Sequence, residues 1–98
     1  GGMKRPEPAI DLGICLAIAS SMKDIVIPDK LMAFGEIGLS GEVRAVSMAE
    51  QRVQEAKKLG FERVILPAVC MKSVEKIGGI ALIPVENIQD AILRVGKN

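Results

Sequence analysis

The stretch Leu31-Met-Ala-Phe-Gly-Glu-Ile-Gly-Leu-Ser-Gly-Glu-Val-Arg-Ala-Val46 decides the fold class of this chain. Positions 31–37 are mainly apolar, and positions 42–46 follow the alternating pattern of a strand. Between them, Gly38-Leu-Ser-Gly41 has the glycines of a tight turn. The stretch therefore predicts a β-hairpin.

A helix is predicted directly after this hairpin. Ser47-Met-Ala-Glu50 has the spacing of a capping box, in which Ser47 would accept from the amide near Glu50 and the Glu50 carboxylate would reach back. The helix would end at Gly60. Its apolar face would consist of Ala49, Val53, Ala56 and Leu59.

Helices and short apolar strands alternate in the rest of the chain. We predict strands over 63–66 and 80–84, and helices over 71–77 and 87–95. Strands separated by helices imply parallel pairing with right-handed crossovers. The fold class predicted is thus α/β (α+β): a hairpin followed by βαβ units, with helices packed on a mixed sheet.

A buried central helix is predicted ahead of the hairpin, over 8–23. It begins with Pro8, which suits a first helical position, and is apolar on nearly every face. Asp11 would lie in its first turn, where the helix dipole favours a carboxylate.

Length and composition predict one domain spanning residues 1–98. A chain of 98 residues has room for a single core. The formal net charge of +1 neither requires nor excludes a polyanionic partner. No apolar stretch is long enough to cross a membrane, and nothing at the start resembles a signal peptide, so we expect a cytoplasmic protein. Cys15 and Cys70 are predicted to be reduced and mostly buried.

Several kinds of active site are excluded by the residues present. There is no glycine-rich nucleotide-binding fingerprint. Without histidine, a Ser-His-Asp triad is impossible, and zinc binding is not expected. A Ser-Lys dyad remains conceivable, with Ser73 and Lys76 one helical turn apart, but such a pair is usually solvated. Glu36 and Glu42 form an equally weak acid pair. Structural roles are predicted for the other serines: Ser20, Ser21, Ser40 and Ser47.

Four segments resemble a known family. They are Pro8-Ala-Ile-Asp-Leu-Gly-Ile-Cys-Leu-Ala-Ile-Ala-Ser-Ser21, Phe34-Gly-Glu-Ile-Gly-Leu-Ser-Gly-Glu-Val-Arg44, Glu50-Gln-Arg-Val-Gln-Glu-Ala-Lys-Lys-Leu-Gly-Phe61 and Val64-Ile-Leu-Pro67. In this order they resemble the C-terminal domain of RadA (Sms) proteins. That domain is similar to the proteolytic domain of Lon proteases, so the resemblance implies a Lon-protease-like fold.

The resemblance also implies that the segment is not a protease. Lon proteases carry their serine in a Pro-Ser-Ala-Gly segment, where this chain has Ala9 between Pro8 and Ile10. They carry their lysine in a Gly-Gly-Leu-Lys segment, where this chain has Glu50. A dyad needs both the hydroxyl and the base. Asp11 and Glu50 could be a new acid pair, but roles at helix starts explain them more simply.

Further expectations follow from the family. RadA-like proteins resemble hexameric ring ATPases, so ATP, Mg and Zn are expected in other parts of a longer parent protein. A part of the Lon-like domain that normally precedes Gly1 is expected to be missing, which would leave an apolar face or a sheet edge uncovered and favour self-association. The domain would then be a scaffold for ring formation that also contacts DNA. The candidates for DNA contact are basic residues, namely Arg44, Arg52, Lys57, Lys58, Arg63, Lys72 and Lys76.

Two alternatives stay open at this point. One is a Lon-like serine peptidase whose nucleophile has moved to another position. The other is the Lon-like domain of a magnesium-chelatase-related ATPase.

Overall fold

A computed structural model of the chain describes residues 9–96, and within them the α/β fold class is confirmed. One turn of 3-10 helix spans Ala68–Cys70. In chain order the other elements are β1 (Ile10–Asp11), α1 (Leu12–Lys23), β2 (Leu31–Ala33), β3 (Glu36–Ile37), β4 (Val43–Arg44), α2 (Ala49–Lys58), β5 (Arg63–Pro67), α3 (Met71–Val74), β6 (Ala81–Val85) and α4 (Ile88–Gly96).

The strands form two three-stranded sheets. One is antiparallel, in the order β1-β3-β4, and contains the predicted hairpin. The other is parallel, in the order β2-β5-β6, which confirms the predicted parallel pairing. An isolated antiparallel bridge between Glu42 and Asn87 connects the hairpin to the segment after β6.

The predicted strand over 31–37 is divided between the two sheets. Its first half, β2, pairs with β5, while its second half, β3, pairs with β1 and β4. The chain changes sheet at Gly35, which has a φ of 148°. A Cβ there would lie 3.1 Å from Val43 Cγ1 and 3.2 Å from Pro67 Cγ. The crossing therefore needs both the backbone freedom and the small size of glycine.

The core consists of two clusters, one on each face of the parallel sheet. Ile65 packs with Leu12, Leu16 and other residues of the α1 and α4 side. Val64 and Leu66 pack in the second cluster, with residues of α2 and α3. Because alternate side chains of β5 point to opposite faces, this strand contributes to both clusters.

Helix α1 is not the buried central helix that its sequence predicts. Leu12 and Leu16 are buried, but Ile14 is 58% exposed, Ile18 57% and Met22 81%. Within residues 9–96, only one side of α1 is covered by other elements, so the rest of its apolar surface faces outward. Pro8, the predicted first helical residue, lies outside the described residues.

Both predicted starts of helices differ from the structure in detail. Asp11 precedes the first turn of α1 as its N-cap, and its Oδ1 accepts a hydrogen bond from the Ile14 amide at 3.1 Å. The capping box predicted for α2 is wrong. The helix begins at Ala49, and no side chain caps it. The preceding residue, Met48, has a left-handed backbone with a φ of 61°. This conformation of Met48 separates Ser47 from the helix start.

Helix α2 ends at Lys58, and Gly60, two residues further on, terminates it as predicted. Gly60 has a φ of 93°. Its amide donates to the Lys57 carbonyl at 3.1 Å, and the Phe61 amide donates to the Ala56 carbonyl at 3.0 Å. This is the Schellman arrangement, which favours glycine. Leu59, predicted on the buried face, is 64% exposed because the helix terminates before it.

The remaining predicted elements are present with small shifts of their ends. Helix α3 begins at Met71, as predicted, but ends at Val74, three residues before the predicted end of 71–77. Strands β5 and β6 and helix α4 each extend one residue beyond their predicted ends. None of the helices in residues 9–96 combines the length and apolar character needed to cross a bilayer. Cys70 is buried and Cys15 half-buried, and both are free.

Candidate functional site

Ala9 and Glu50, the predicted positions of a lost dyad, lie in different local surroundings. Ala9 precedes β1, is exposed and lines a shallow groove with Ile37 and Leu39. Glu50 is exposed in the first turn of α2. The first residue offers a methyl group and the second a carboxylate. Their correspondence to a protease dyad stays a prediction.

Two serine hydroxyls donate hydrogen bonds to backbone carbonyls one helical turn earlier. Ser20 Oγ donates to the Ala17 carbonyl at 2.9 Å. Ser73 Oγ donates to the Cys70 carbonyl at 2.8 Å, and no hydrogen bond to Lys76 is formed within residues 9–96. Neither serine is therefore arranged as an activated nucleophile.

Glu42 forms an ion pair with Arg44 rather than an acid pair with Glu36. Its Oε2 lies 2.9 Å from an Arg44 terminal nitrogen and accepts from Arg44 Nε at 3.0 Å. Its Oε1 accepts from the Ser40 amide at 3.0 Å. Hydrogen bonds from its own amide, from Arg44 and from the Ser40 amide hold the pKa of Glu42 below its ordinary value. The carboxylate thus stabilises the hairpin turn.

Two of the seven candidate DNA-contact residues have partners inside the domain. Arg44 is held by Glu42, as described above. The Arg52 guanidinium lies over the Phe34 ring, 5.9 Å from its centroid, and Arg52 Nε donates to the Ser47 carbonyl at 3.1 Å. These contacts give both arginines structural roles.

Other candidates come together at the amino ends of the parallel strands. Arg63 is the first residue of β5, and Lys57 and Lys58 form the last turn of α2 just before it. The Lys57 side chain lies against Gly79, since a Cβ there would be 2.8 Å from Lys57 Cε. Lys76 comes three residues before Gly79. Lys72 lies in α3, which follows the opposite, carboxyl end of β5.

Lys30 belongs to this group but was missed from the sequence. Its carbonyl accepts from the amides of Glu62, at 2.9 Å, and Arg63, at 3.2 Å. Its Nζ lies 4.0 Å from the position that a Cβ on Gly60 would take. Lys30 stands directly before β2, so the parallel register with β5 is the signal that could have placed it beside Arg63.

A shallow apolar groove between β2 and α2 was also not predicted. It is lined by Met32, Phe34 and Met48, with Arg52 and Glu55 at its polar rim. Met48, which precedes α2 with a left-handed backbone, is 63% exposed. The alternation of charge along α2 gives no sign of this groove.

Comparison with known proteins agrees with the resemblance found in the sequence. Residues 2–69 match the family described as "Subunit ChlI of Mg-chelatase". The DNA repair protein RadA of Bacillus subtilis is 50% identical over 92 residues, covering 94% of this chain and 20% of the relative. That of Aquifex aeolicus is 45% identical over 93 residues, with coverages of 94% and 20%. That of Streptococcus pneumoniae is 42% identical over 95 residues, with coverages of 97% and 23%.

The chain spans about a fifth of the length of these curated relatives. The family match covers more than half of the chain, and the RadA relatives align with nearly all of it. The chain therefore belongs to the ChlI-type family, as a Lon-protease-like domain of the RadA (Sms) kind.

Proposed function

We propose that this chain is a non-proteolytic Lon-like scaffold domain of a RadA-type DNA-repair ATPase, where it contributes to ring oligomerisation and to DNA contact. The observation that carries the proposal is 50% identity, over 94% of the chain, to a protein named DNA repair protein RadA. In this proposal the parent protein is cytoplasmic and forms a hexameric ring. Its ATP, Mg and Zn are bound outside this segment.

The absence of protease activity is proposed on chemical grounds. Acyl transfer by a Ser-Lys dyad needs a hydroxyl nucleophile and a neighbouring amine as its base. Ala9 and Glu50 supply neither group at the positions that match the Lon motifs. The serines at 20 and 73 are engaged by backbone carbonyls, which argues against a relocated nucleophile.

A fluorophosphonate probe tests this part of the proposal. We expect no labelling of the folded chain by mass spectrometry, while an active serine hydrolase treated in parallel is labelled. Labelling of any native serine would favour the relocated-nucleophile peptidase instead. A double variant, Ala9→Ser with Glu50→Lys, reports whether the two positions can form a dyad.

DNA contact is proposed because several lysines of the domain are available to bind phosphate. Replacing counterions on a DNA backbone makes affinity fall steeply with salt. We expect binding of a fluorescein-labelled duplex, measured by anisotropy, to weaken strongly between about 50 and 200 mM salt. An affinity that is constant over this titration would remove DNA contact from the proposed function.

A Lon-like domain of a magnesium-chelatase-related ATPase is the second candidate. It is favoured by the family description that matches residues 2–69. The reading frame of the parent protein separates the two candidates. A Cys-x-x-Cys pair near its start, followed by a Walker loop, is expected for the RadA type.

A further inference from the structure

The residue before α2 has an unusual backbone conformation. Met48 has a φ of 61° and a ψ of 37°, in the left-handed region that a Cβ disfavours. Within residues 9–96, the other non-glycine residue with a positive φ is Asp24, at the end of α1. Aspartate tolerates this region because its short side chain can form local hydrogen bonds, which methionine cannot do. The conformation of Met48 is therefore strained, and its surroundings must offset the strain.

The first turn of α2 also has unsatisfied backbone amides. No side chain caps the helix, and the Arg52 amide donates to the Met48 carbonyl at 3.0 Å. In the part of the chain that the structure describes, the three amides before it find no acceptor, namely those of Ala49, Glu50 and Gln51. Helices normally satisfy such amides with a capping side chain. The observed start of α2 is therefore unfavourable in two respects, strain and the missing cap.

The sequence contains the groups for a second start of this helix. Ser47 and Glu50 have the spacing of a capping box, although α2 does not use it. If Met48 entered the right-handed helical region, Ser47 would become the N-cap and its hydroxyl would accept from the Glu50 amide. The Ser47 carbonyl would accept from the Gln51 amide, as in any helix. This second start would relieve the strain at Met48 and satisfy two of the three free amides.

Arg52 makes the contacts that hold the observed start. Its Nε donates to the Ser47 carbonyl at 3.1 Å, and its guanidinium lies 5.9 Å from the centroid of the Phe34 ring. Phe34 is 6% exposed, so the ring gives the guanidinium a fixed support. The Ser47 carbonyl is also the acceptor that the Gln51 amide would need in the second start. The Arg52 contact therefore competes with the second start.

Both residues that would move line the groove between β2 and α2. Met48 and Arg52 form part of its wall, beside Phe34. Because the Met48 side chain is 63% exposed, it can change position without displacing the core. A change in the Met48 backbone moves this side chain relative to Phe34, and loss of the Ser47 contact frees the Arg52 guanidinium. The start of α2 therefore determines the shape of the groove.

We propose that the start of α2 is a two-state switch that reshapes this groove. In the major state, Met48 is left-handed and Arg52 joins Ser47 to Phe34. In the minor state, Ser47 and Glu50 cap the helix, Met48 belongs to α2 and Arg52 is released. A molecule that enters the groove and contacts Met48 or Arg52 binds the two states unequally, so it shifts the balance between them. The switch is independent of the DNA-repair role proposed above.

Relaxation-dispersion NMR of the nitrogen-15-labelled 98-residue chain tests the switch. The native chain should show exchange at the amides of residues 47–51, with a minor state of roughly 1%. Arg52→Gln removes the ring contact and the hydrogen bond to Ser47. We expect it to raise the minor population roughly 5- to 30-fold. Adding Ser47→Ala to this variant removes the cap of the minor state and should lower its population again by roughly fivefold.

Two further variants complete the comparison. Met48→Gly favours the left-handed conformation and disfavours the helical one, so it should lower the minor population by at least about tenfold. Lys58→Gln removes the same charge as Arg52→Gln from the same helix, but at its last residue. It is therefore the matched control and should leave the exchange at residues 47–51 unchanged.

Three results would overturn the switch. One is a minor population that does not rise in Arg52→Gln, and another is a rise of the same size in Lys58→Gln. The third is a minor population in Arg52→Gln that Ser47→Ala leaves unchanged, because the minor state would then not be the capped one. If circular dichroism shows that Arg52→Gln is unfolded, the native chain and Met48→Gly decide instead. Equal exchange in those two proteins, or none in either, would then reject the switch.

Discussion

At the scale of single residues, Gly35 controls the course of the backbone between the two sheets. Its positive φ is rare for other residues, and three side chains surround the position of a Cβ, the nearest being Val43. We predict that Gly35→Ala lowers the free energy of unfolding by about 1–3 kcal/mol, measured by urea denaturation.

Gly78→Ala is the matched control for this substitution. Gly78 has no neighbour within 4 Å of a Cβ and no positive φ. We expect its free energy of unfolding to change by less than about 0.5 kcal/mol. Equal effects at the two glycines would contradict the role given to Gly35.

Glu42 makes the hairpin sensitive to acid. Because its pKa is lowered in the folded chain, its stabilising contribution is present above its ordinary value of 4.5 and is lost as pH falls through the folded pKa. Glu42→Gln should therefore destabilise the domain at neutral pH, and its difference from the native chain should shrink below that ordinary value. Urea denaturation over a pH series measures this. A difference independent of pH would show that the carboxylate charge is unimportant.

At the scale of elements, helix starts show where local sequence is decisive and where it is not. Asn87 Oδ1 accepts from the Asp90 amide at 2.8 Å and caps the start of α4. We predict that Asn87→Ala costs about 1 kcal/mol of stability, as for other N-caps. Ser47→Ala, at the start of α2, should cost close to nothing because Ser47 does not cap that helix. Chemical denaturation of both variants measures these changes in the free energy of unfolding. A loss of stability in Ser47→Ala larger than that in Asn87→Ala would support the predicted capping box.

Helix α1 differs from its prediction for a physical reason. A helix that is apolar on nearly every face is typical of a buried position. In the described residues only Leu12 and Leu16 are fully covered by the core. The sequence thus correctly predicts an apolar helix. Which faces of that helix are covered depends on the elements that pack around it.

At the scale of the whole molecule, the exposed face of α1 leads to a prediction about association. Ile10, Ile14, Ile18 and Met22 follow one another at intervals of four residues, and all are more than half exposed. A continuous apolar stripe that is exposed in this way favours contact with another surface. We predict concentration-dependent self-association of the native chain in sedimentation velocity experiments.

Substitutions on the stripe identify the surface that associates. Ile14→Glu with Ile18→Glu should shift the chain to monomer without unfolding it, because both side chains are more than half exposed. Leu59→Glu, at an exposed apolar position beyond α2, is the control and should leave association unchanged. Native chain that is monomeric at every concentration would contradict the prediction.

The sequence by itself determined the fold class, the parallel pairing, the end of α2 at Gly60 and the family, because these depend on local patterns and motifs. It also named Lys57, Lys58 and Arg63 among seven basic candidates. Only the tertiary structure decided that the strand over 31–37 divides at Gly35, that one face of α1 is uncovered within residues 9–96, and that Lys30 lies beside the start of β5. These features depend on strand register and on which element covers which, and contacts between residues distant in the chain set both.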